Sequence, residues 1–470
     1  MPELLLALDV GTTTARALLA TPDGDILAVT TRPLETLLPG PGRAEQDAEQ
    51  VWRAARDCIH EALARAGRTA ADLSALGVTT QRASVVVWEK GTGRPLAPMV
   101  LWSDLSHGTR SRELAAAGFT GWPQAPACKL NATIARAGGG EVLWGGLDSY
   151  LVYRLSGGSA HVTDLSGAWM TGCFDYRGQQ GWDAALVEFL GLSEGIFPTL
   201  VDSWGPLAIA SATVLGAPVP ITAVIADQQA GLVAHAALDA GGWKATYGTS
   251  GVVMASTGDA PLQPHRTMPP EAAARRDGKA LYCVEGMIIS TGTAVDWLCS
   301  GLGLFDGPAA LCAAAGTVEA SGVHMRPSLQ GLGAPHGKFG ATGLLAGLTL
   351  GTRREHLARA VLEGIAFRTR EIVETLEGAL PLSEALGVDG GLASSDVFLS
   401  ILADKLGRPV RRHVAREGTA YGAAMAAALG VGLITEADLP SRARYDRTFE
   451  PSIGADQASA EFAAWSAAVI

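Results

Sequence analysis

The chain has 470 residues, 48% hydrophobic and 18% charged, which is enough for two buried cores and too apolar for extended disorder. Its 36 basic and 47 acidic residues give a net charge of -11, which excludes a nonspecific nucleic-acid surface. Six scattered cysteines without a CxxC pair exclude a disulfide scaffold and a cysteine zinc site, and fit a reducing cytoplasm.

In chain order, the opening LLLAL lacks a basic leader and runs into Asp9, so it predicts a strand and not a signal peptide. Pro22, Asp23 and Gly24 then mark a hairpin between apolar runs, and the DVGTTT segment can itself turn between two paired strands. From Asp47, the spacing of Val51, Ala55, Cys58, Ile59, Ala62 and Leu63 predicts one buried helix face. LSALGVTTQ reads as a strand, VVVWEKGTGRPL as a hairpin-like turn, Gly138 to Ser156 as helix, and HVTDLSGAWMTGCFD as strand and turn. A further strand ends near Ile225, just before Asp227 and a small-residue helix. Beyond a domain change placed near 240, WKATYGTSGVVMAS is strand-like, and Leu357, Val361, Ile365 and Ile372 recur at a helical period. LGVDGG then closes a strand ahead of a helix burying Val397, Ile401 and Leu402. The most apolar late stretch, Gly422 to Ile434, is shorter than the roughly 18 residues of a bilayer span, so no membrane association is expected.

Three glycine-rich turns carry the candidate chemistry. Gly11 lets a phosphate approach the backbone, with N–H groups and the hydroxyls of Thr12 and Thr13 as donors and Arg16 as a nearby cation. Asp9 would repel phosphate directly but can hold a water-bearing Mg²⁺ that offsets the repulsion. TYGTSG at 246–251 is a second donor-rich turn, and in VDGGLASS the glycines Gly390 and Gly391 would admit an adenosine whose base Ser395 could bond. Asp227, at a strand end in IADQQ, can take a proton from a substrate hydroxyl. Neither a Walker loop nor G-x-G-x-x-G is present, and an ordinary polar turn or helix N-cap accounts for each motif taken singly.

Taken in order, DVGTTTAR at 9–16, TTQR at 79–82, LWSD at 101–104, HVTD at 161–164, ADQQ at 226–229, TYGTSG at 246–251, GLGAP at 331–335, and VDGG followed by AD at 403–404 resemble the FGGY family of carbohydrate kinases over nearly the whole chain. The resemblance implies an α/β fold of two actin-like, ribonuclease H-like domains, 1–240 and 241–470, with an interdomain cleft for ATP-Mg²⁺ and a small sugar or polyol. It implies Asp227 as the catalytic base and Asp9 with Asp227 on the metal. Thr12, Thr13, Arg16 and Thr249 would lie on the phosphate side, and Gly292, Gly391 and Ser395 around the nucleotide. Gln81, Arg82, Trp102, Asp104, Gln124, Asp227 and Gln228 would surround the acceptor. A homodimer is compatible with the sequence.

The stretch TTQRASVVVWEKGTGRPL is similar to the glycerol kinase branch, which places an acidic ligand where Ala83 stands. Gln124 and Val252 replace aromatic positions of that branch, and 336–339 departs from the family pattern after the proline. The xylulokinase branch carries glutamine-methionine-histidine where this chain has Gln81, Arg82 and Ala83. These departures favour a ketopentose or polyol acceptor phosphorylated at a terminal hydroxyl, with glycerol as the alternative. An actin-like conformational ATPase is the alternative from another class.

Overall fold

In the computed structural model, which describes residues 3–178, 181–319, 322–415 and 417–470, the apolar opening forms a strand, Leu4–Val10, buried along its whole length. It lies inside a six-stranded sheet with the spatial order Trp204–Ala210, Val219–Ala226, Leu73–Thr80, Leu4–Val10, Thr14–Ala20, Ile26–Pro33. The three middle pairing partners, Val219–Ala226, Leu73–Thr80 and Leu4–Val10, run parallel, and the flanking strands are antiparallel. Parallel strands covered on both faces need nearly continuous apolar residues, which is why LLLAL, LGV and ITAVIA read as unbroken runs. In register, Thr79 stands between Asp9 and Ile225, so the three strands finish together and hand over to Gly11, Gln81 and Asp227.

This sheet belongs to a unit that runs through Ala234 and also takes Glu271–Leu281 and Thr419–Arg442. Helix Ala48–Arg65 covers it, started by Asp47, whose side chain accepts from the Glu49 and Gln50 backbone, and burying Val51, Ala55, Cys58, Ile59, Ala62 and Leu63. The suspiciously apolar late stretch is helix Gly418–Val431, whose small residues permit close packing. A Cβ at Gly77 would lie 2.3 Å from the Ala423 carbonyl oxygen, and one at Gly422 would lie 1.8 Å from that of Ala230. Backbone-to-backbone contact, not lipid, is what selects alanine and glycine here.

The second unit holds His235–Pro270, Tyr282–Gly418 and Ala443–Ile470. Its sheet has the order Lys279–Ile288 (from Tyr282 onward in this unit), Gly251–Gly258, Trp243–Tyr247, Leu386–Asp389, Val410–His413, Tyr445–Phe449. Again the middle three strands are parallel and the outer ones antiparallel. An antiparallel meander of three strands leading into a parallel trio is thus common to both sheets, while the far edge strand precedes its neighbour in the chain in the first and follows it in the second. Helices Arg354–Glu377 and Asp396–Leu406 bury Val361, Ile365, Ile372, Ile401 and Leu402, while Val397 is half-buried.

Two local expectations change, and a third holds with a further strand partner. The segment 138–156 is not one helix: Val142–Gly145 is a strand and Leu147–Leu155 the helix. Val86–Glu89 makes the expected hairpin-like turn, with the Glu89 N–H donating to the Arg94 carbonyl and the Leu96 N–H to the Val87 carbonyl, both at 2.9 Å, and pairs in addition with Val142–Gly145. In HVTDLSGAW a strand, Val162–Asp164, passes directly into helix Leu165–Trp169. Short apolar runs fit either period, and the long-range partner decides. All six cysteines are buried and none forms a disulfide, and among the described residues no helix is long and apolar enough to cross a membrane.

Candidate active site

The first unit gathers its polar residues where the three parallel strands end, the edge at which open α/β sheets place their ligands. Asp9 is 4% exposed, and its Oδ2 accepts from Arg16 Nη1 at 2.7 Å and from Thr419 Oγ1 at 2.9 Å. One strand along, Trp102 Nε1 donates to Thr12 Oγ1 at 2.9 Å, which donates to Gln81 Oε1 at 3.1 Å. Gln46 Nε2 holds the Thr12 carbonyl at 2.6 Å, and Thr13 is exposed beside it. Arg82 lies between two carboxylates, with Nη1 2.8 Å from Glu271 Oε2 and Nε 3.5 Å from Asp227 Oδ1. Asp227 opens helix Asp227–Ala234, and its Oδ1 accepts from the Gln228 backbone at 2.7 Å.

Two acceptor-side expectations sit differently. Asp104 is 1% exposed, and its oxygens accept from the Ala44 backbone at 2.9 Å and from the Ser106 backbone and hydroxyl at 3.0 and 2.6 Å. Burial by itself would raise its carboxyl, but these hydrogen bonds hold it below the ordinary range. Asp104 therefore shapes the turn that presents Trp102. Gln124 is half-buried in the turn before helix Pro126–Arg136 and forms no hydrogen bond to the other candidates. Ala83 holds a left-handed φ of +57°, uncommon for a residue with a Cβ, and borders a cavity of about 10 Å³ shared with Gln81, Arg82, Ser84 and Asp148.

The second unit carries a cavity of about 600 Å³ whose lining includes Thr249, Gly292, Cys312, Gly391, Ser395 and Val397. Its rim is the 246–251 turn, where Thr291 Oγ1 and the Gly292 backbone N–H donate to the Gly248 carbonyl at 2.8 and 3.0 Å. A Cβ at Gly292 would lie 2.6 Å from that same oxygen. Gly390 has φ +91°, and its Cβ would lie 2.6 Å from the Tyr247 carbonyl oxygen, so only glycine fits there. Ser395 caps helix Asp396–Leu406, its Oγ accepting from Phe398 N at 3.2 Å. Below the floor, Asp389 is fully buried, and His235 Nε2 stands 3.1 Å from its Oδ2. Burial would raise the Asp389 carboxyl, but His235, the Lys244 charge and the Thr246 hydrogen bond together outweigh it and the group stays low.

The N-terminal domain model of the FGGY family of carbohydrate kinases matches residues 4–119 and 128–234, and the C-terminal domain model of the same family matches 243–431. The chain belongs to the FGGY family of carbohydrate kinases. As a family member it is an ATP-dependent phosphotransferase with an alcohol group of a sugar or polyol as acceptor, built from two actin-like domains. The glycerol kinase of Thermus brockianus is 39% identical over 486 residues, covering 99% of this chain and 98% of that protein. The glycerol kinase of Dechloromonas aromatica is 38% identical over 488 residues, covering 99% and 97%. Among solved structures, the Plasmodium falciparum glycerol kinase with ADP superposes with a TM-score of 0.88 at 23% identity, covering 99% of this chain and 97% of that one. The Rhodospirillum rubrum xylulose kinase gives 0.84 at 27%, covering 99% and 98%.

Within this FGGY fold three site residues escaped the sequence reading. Glu271 lies far from Arg82 in sequence and had no motif around it. Thr419 begins an alanine-rich helix that reads as plain core, yet its hydroxyl bonds Asp9. Lys129 is wholly buried and donates to the Leu101 carbonyl at 2.5 Å, behind Trp102; burial drives its pKa down to about 8, against the pull of Asp104. Its one available signal was a lysine inside the apolar run PACKLNA.

Proposed function

We propose that this kinase transfers the γ-phosphoryl group of ATP to a terminal hydroxyl of glycerol or a closely related small polyol. The observation that carries the acceptor is the near-complete alignment with glycerol kinases at 38 to 39% identity. It favours the glycerol alternative over the ketopentose that Ala83 and Gln124 had suggested. In this reading the acceptor and metal side is 1–240, and the nucleotide side is 241–470.

Asp227 takes the proton of the attacking hydroxyl, the geometry for which is a carboxylate at a strand end steered by Arg82. Trp102 covers a carbon face of the acceptor, and Gln81, Arg82 and Gln228 bond its hydroxyls. Gln124 and Asp104 complete the wall, Asp104 by fixing the Trp102 turn. Thr12, Thr13, Arg16 and Thr249 serve the phosphates, and Gly292, Gly391 and Ser395 the nucleoside. The donor set suits Mg²⁺: Asp9 and Asp227 are hard oxygen ligands leaving neighbouring parts of one sheet edge, and an ion that keeps several waters needs only one or two carboxylates. When bound, Mg²⁺ neutralises charge on the phosphates.

The test is ADP release with Mg-ATP across glycerol, erythritol, pentitols and ketopentoses, with product confirmed by mass. Glycerol is expected to give the highest kcat/KM. A ketopentose outpacing glycerol overturns the acceptor, and ADP release without acceptor or phosphorylated product overturns the transfer.

A further inference from the structure

The HVTD aspartate has no role in the scheme above, yet both of its oxygens are buried and hydrogen-bonded. Asp164 is 0% exposed; its Oδ1 accepts from the Gly167 backbone at 2.8 Å, Ser166 Oγ lies 2.8 Å from both oxygens, and Ser203 Oγ donates to Oδ2 at 2.6 Å. Each serine passes the constraint on. Ser166 Oγ accepts the Ala226 backbone N–H at 2.9 Å, one residue before Asp227. Ser203 Oγ accepts the Arg275 backbone N–H at 2.8 Å, and the Ser203 backbone N–H donates to the Arg275 carbonyl at 2.7 Å. Arg275 lies on strand Pro270–Arg276, which also carries Glu271, the partner of Arg82.

We propose that Asp164 is a positioning residue for the Asp227 base, holding it from two directions: its backbone through Ser166 and Ala226, and its side chain through Ser203, the Pro270–Arg276 strand, Glu271 and Arg82. This rests on Asp227 acting as the base. The physical basis is hydrogen-bond polarity. An ionised carboxylate only accepts, so it draws both serine protons toward itself and leaves each Oγ lone pair facing a backbone N–H. An asparagine keeps the shape, but with its Oδ1 on Gly167 N its amide donates toward serines that already receive an N–H. At least one serine must then turn its proton away from position 164: it can still accept its backbone N–H through its second lone pair, but its buried hydroxyl loses its acceptor and the charge-assisted bond that fixes it is gone. Burying this carboxylate is costly: burial raises it to about 6, against its hydrogen bonds. A purely apolar packing would avoid that cost, so the accept-only character is what the site retains.

The experiment compares Asp164→Asn, Ser166→Ala and Asp227→Asn by steady-state kinetics with glycerol and Mg-ATP, alongside thermal unfolding. Asp164→Asn and Ser166→Ala are expected to lower kcat on the order of tenfold to a hundredfold, the scale of a slightly misplaced reacting group, with both KM values kept. A simple packing defect would instead lower unfolding temperature and leave the kcat of the folded fraction alone. Wild-type kcat in Ser166→Ala overturns the proposal, as does a fall in kcat matched by an equal rise in the KM for ATP. If Asp164→Asn yields no folded protein, Ser166→Ala decides. If Asp227→Asn keeps its turnover, the base assignment itself fails; if Asp227→Asn is inactive and Ser166→Ala is normal, only the positioning role fails.

Discussion

Replacing Arg82 with glutamine removes a cation whose Nε is 3.5 Å from Asp227 Oδ1. At an effective dielectric of about 20, unit charges at that separation interact by roughly 5 kcal/mol. Two features reduce this. Asp227 is 23% exposed, so solvent screens the pair, and Glu271 beside Arg82 already cancels part of its field. An opposite charge favours the ionised carboxylate, so its removal raises the pKa of the base. The acid limb of the kcat/KM profile should therefore move to higher pH, and the now uncompensated Glu271 acts in the same direction. The assay is acceptor-dependent ADP release from acid to neutral pH at saturating Mg-ATP. A rise in acceptor KM alone, with the limb unmoved or shifted to lower pH, refutes the electrostatic coupling and leaves Arg82 as a hydroxyl ligand only.

Two further outcomes follow from the same structure. Lys129 titrates near about 8 when folded and near 10.5 when unfolded, so the unfolded chain binds the extra proton between those values. Stability is then expected to rise with pH across that window by up to about 3 kcal/mol and to be flat below it; urea unfolding should show this rise in the native protein and lose it in Lys129→Met, and equal slopes would refute it. Gly390→Ala forces a Cβ into a φ of +91° and within 2.6 Å of the Tyr247 carbonyl oxygen. A cost of at least about 2 kcal/mol is expected, with weaker ADP binding by calorimetry, and wild-type affinity would contradict the glycine argument.

What the sequence made legible was local. The DVGTTT and TYGTSG turns, the Asp47-capped helix and the strand leading to Asp227 all follow from apolar period and turn chemistry, and each appears where expected. What stayed hidden depends on chain return. Glu271–Leu281 and Thr419–Arg442 rejoin the first unit after a long excursion, so the Arg82–Glu271 pair and the Thr419–Asp9 bond leave no trace in any short window. Asp104 shows the converse: a charged residue beside Trp102 reads from sequence as an acceptor ligand, and nothing in that window shows that its oxygens accept from the Ala44 and Ser106 backbone. The repeated sheet was invisible because the two copies share most of their topology and hardly any side chains.

That repetition moves a negative charge. In the first sheet the acid stands on the strand feeding the glycine-threonine turn, with a hydroxyl opposite: Asp9 across from Thr79. In the second the two have changed places, with Thr246 on the turn's strand and Asp389 across from it. There the carboxylate is engaged by His235, beneath Gly390. The turn at Gly248 and Thr249 thus has no carboxylate on its own strand: the acid has moved to the neighbouring strand, where His235 holds it.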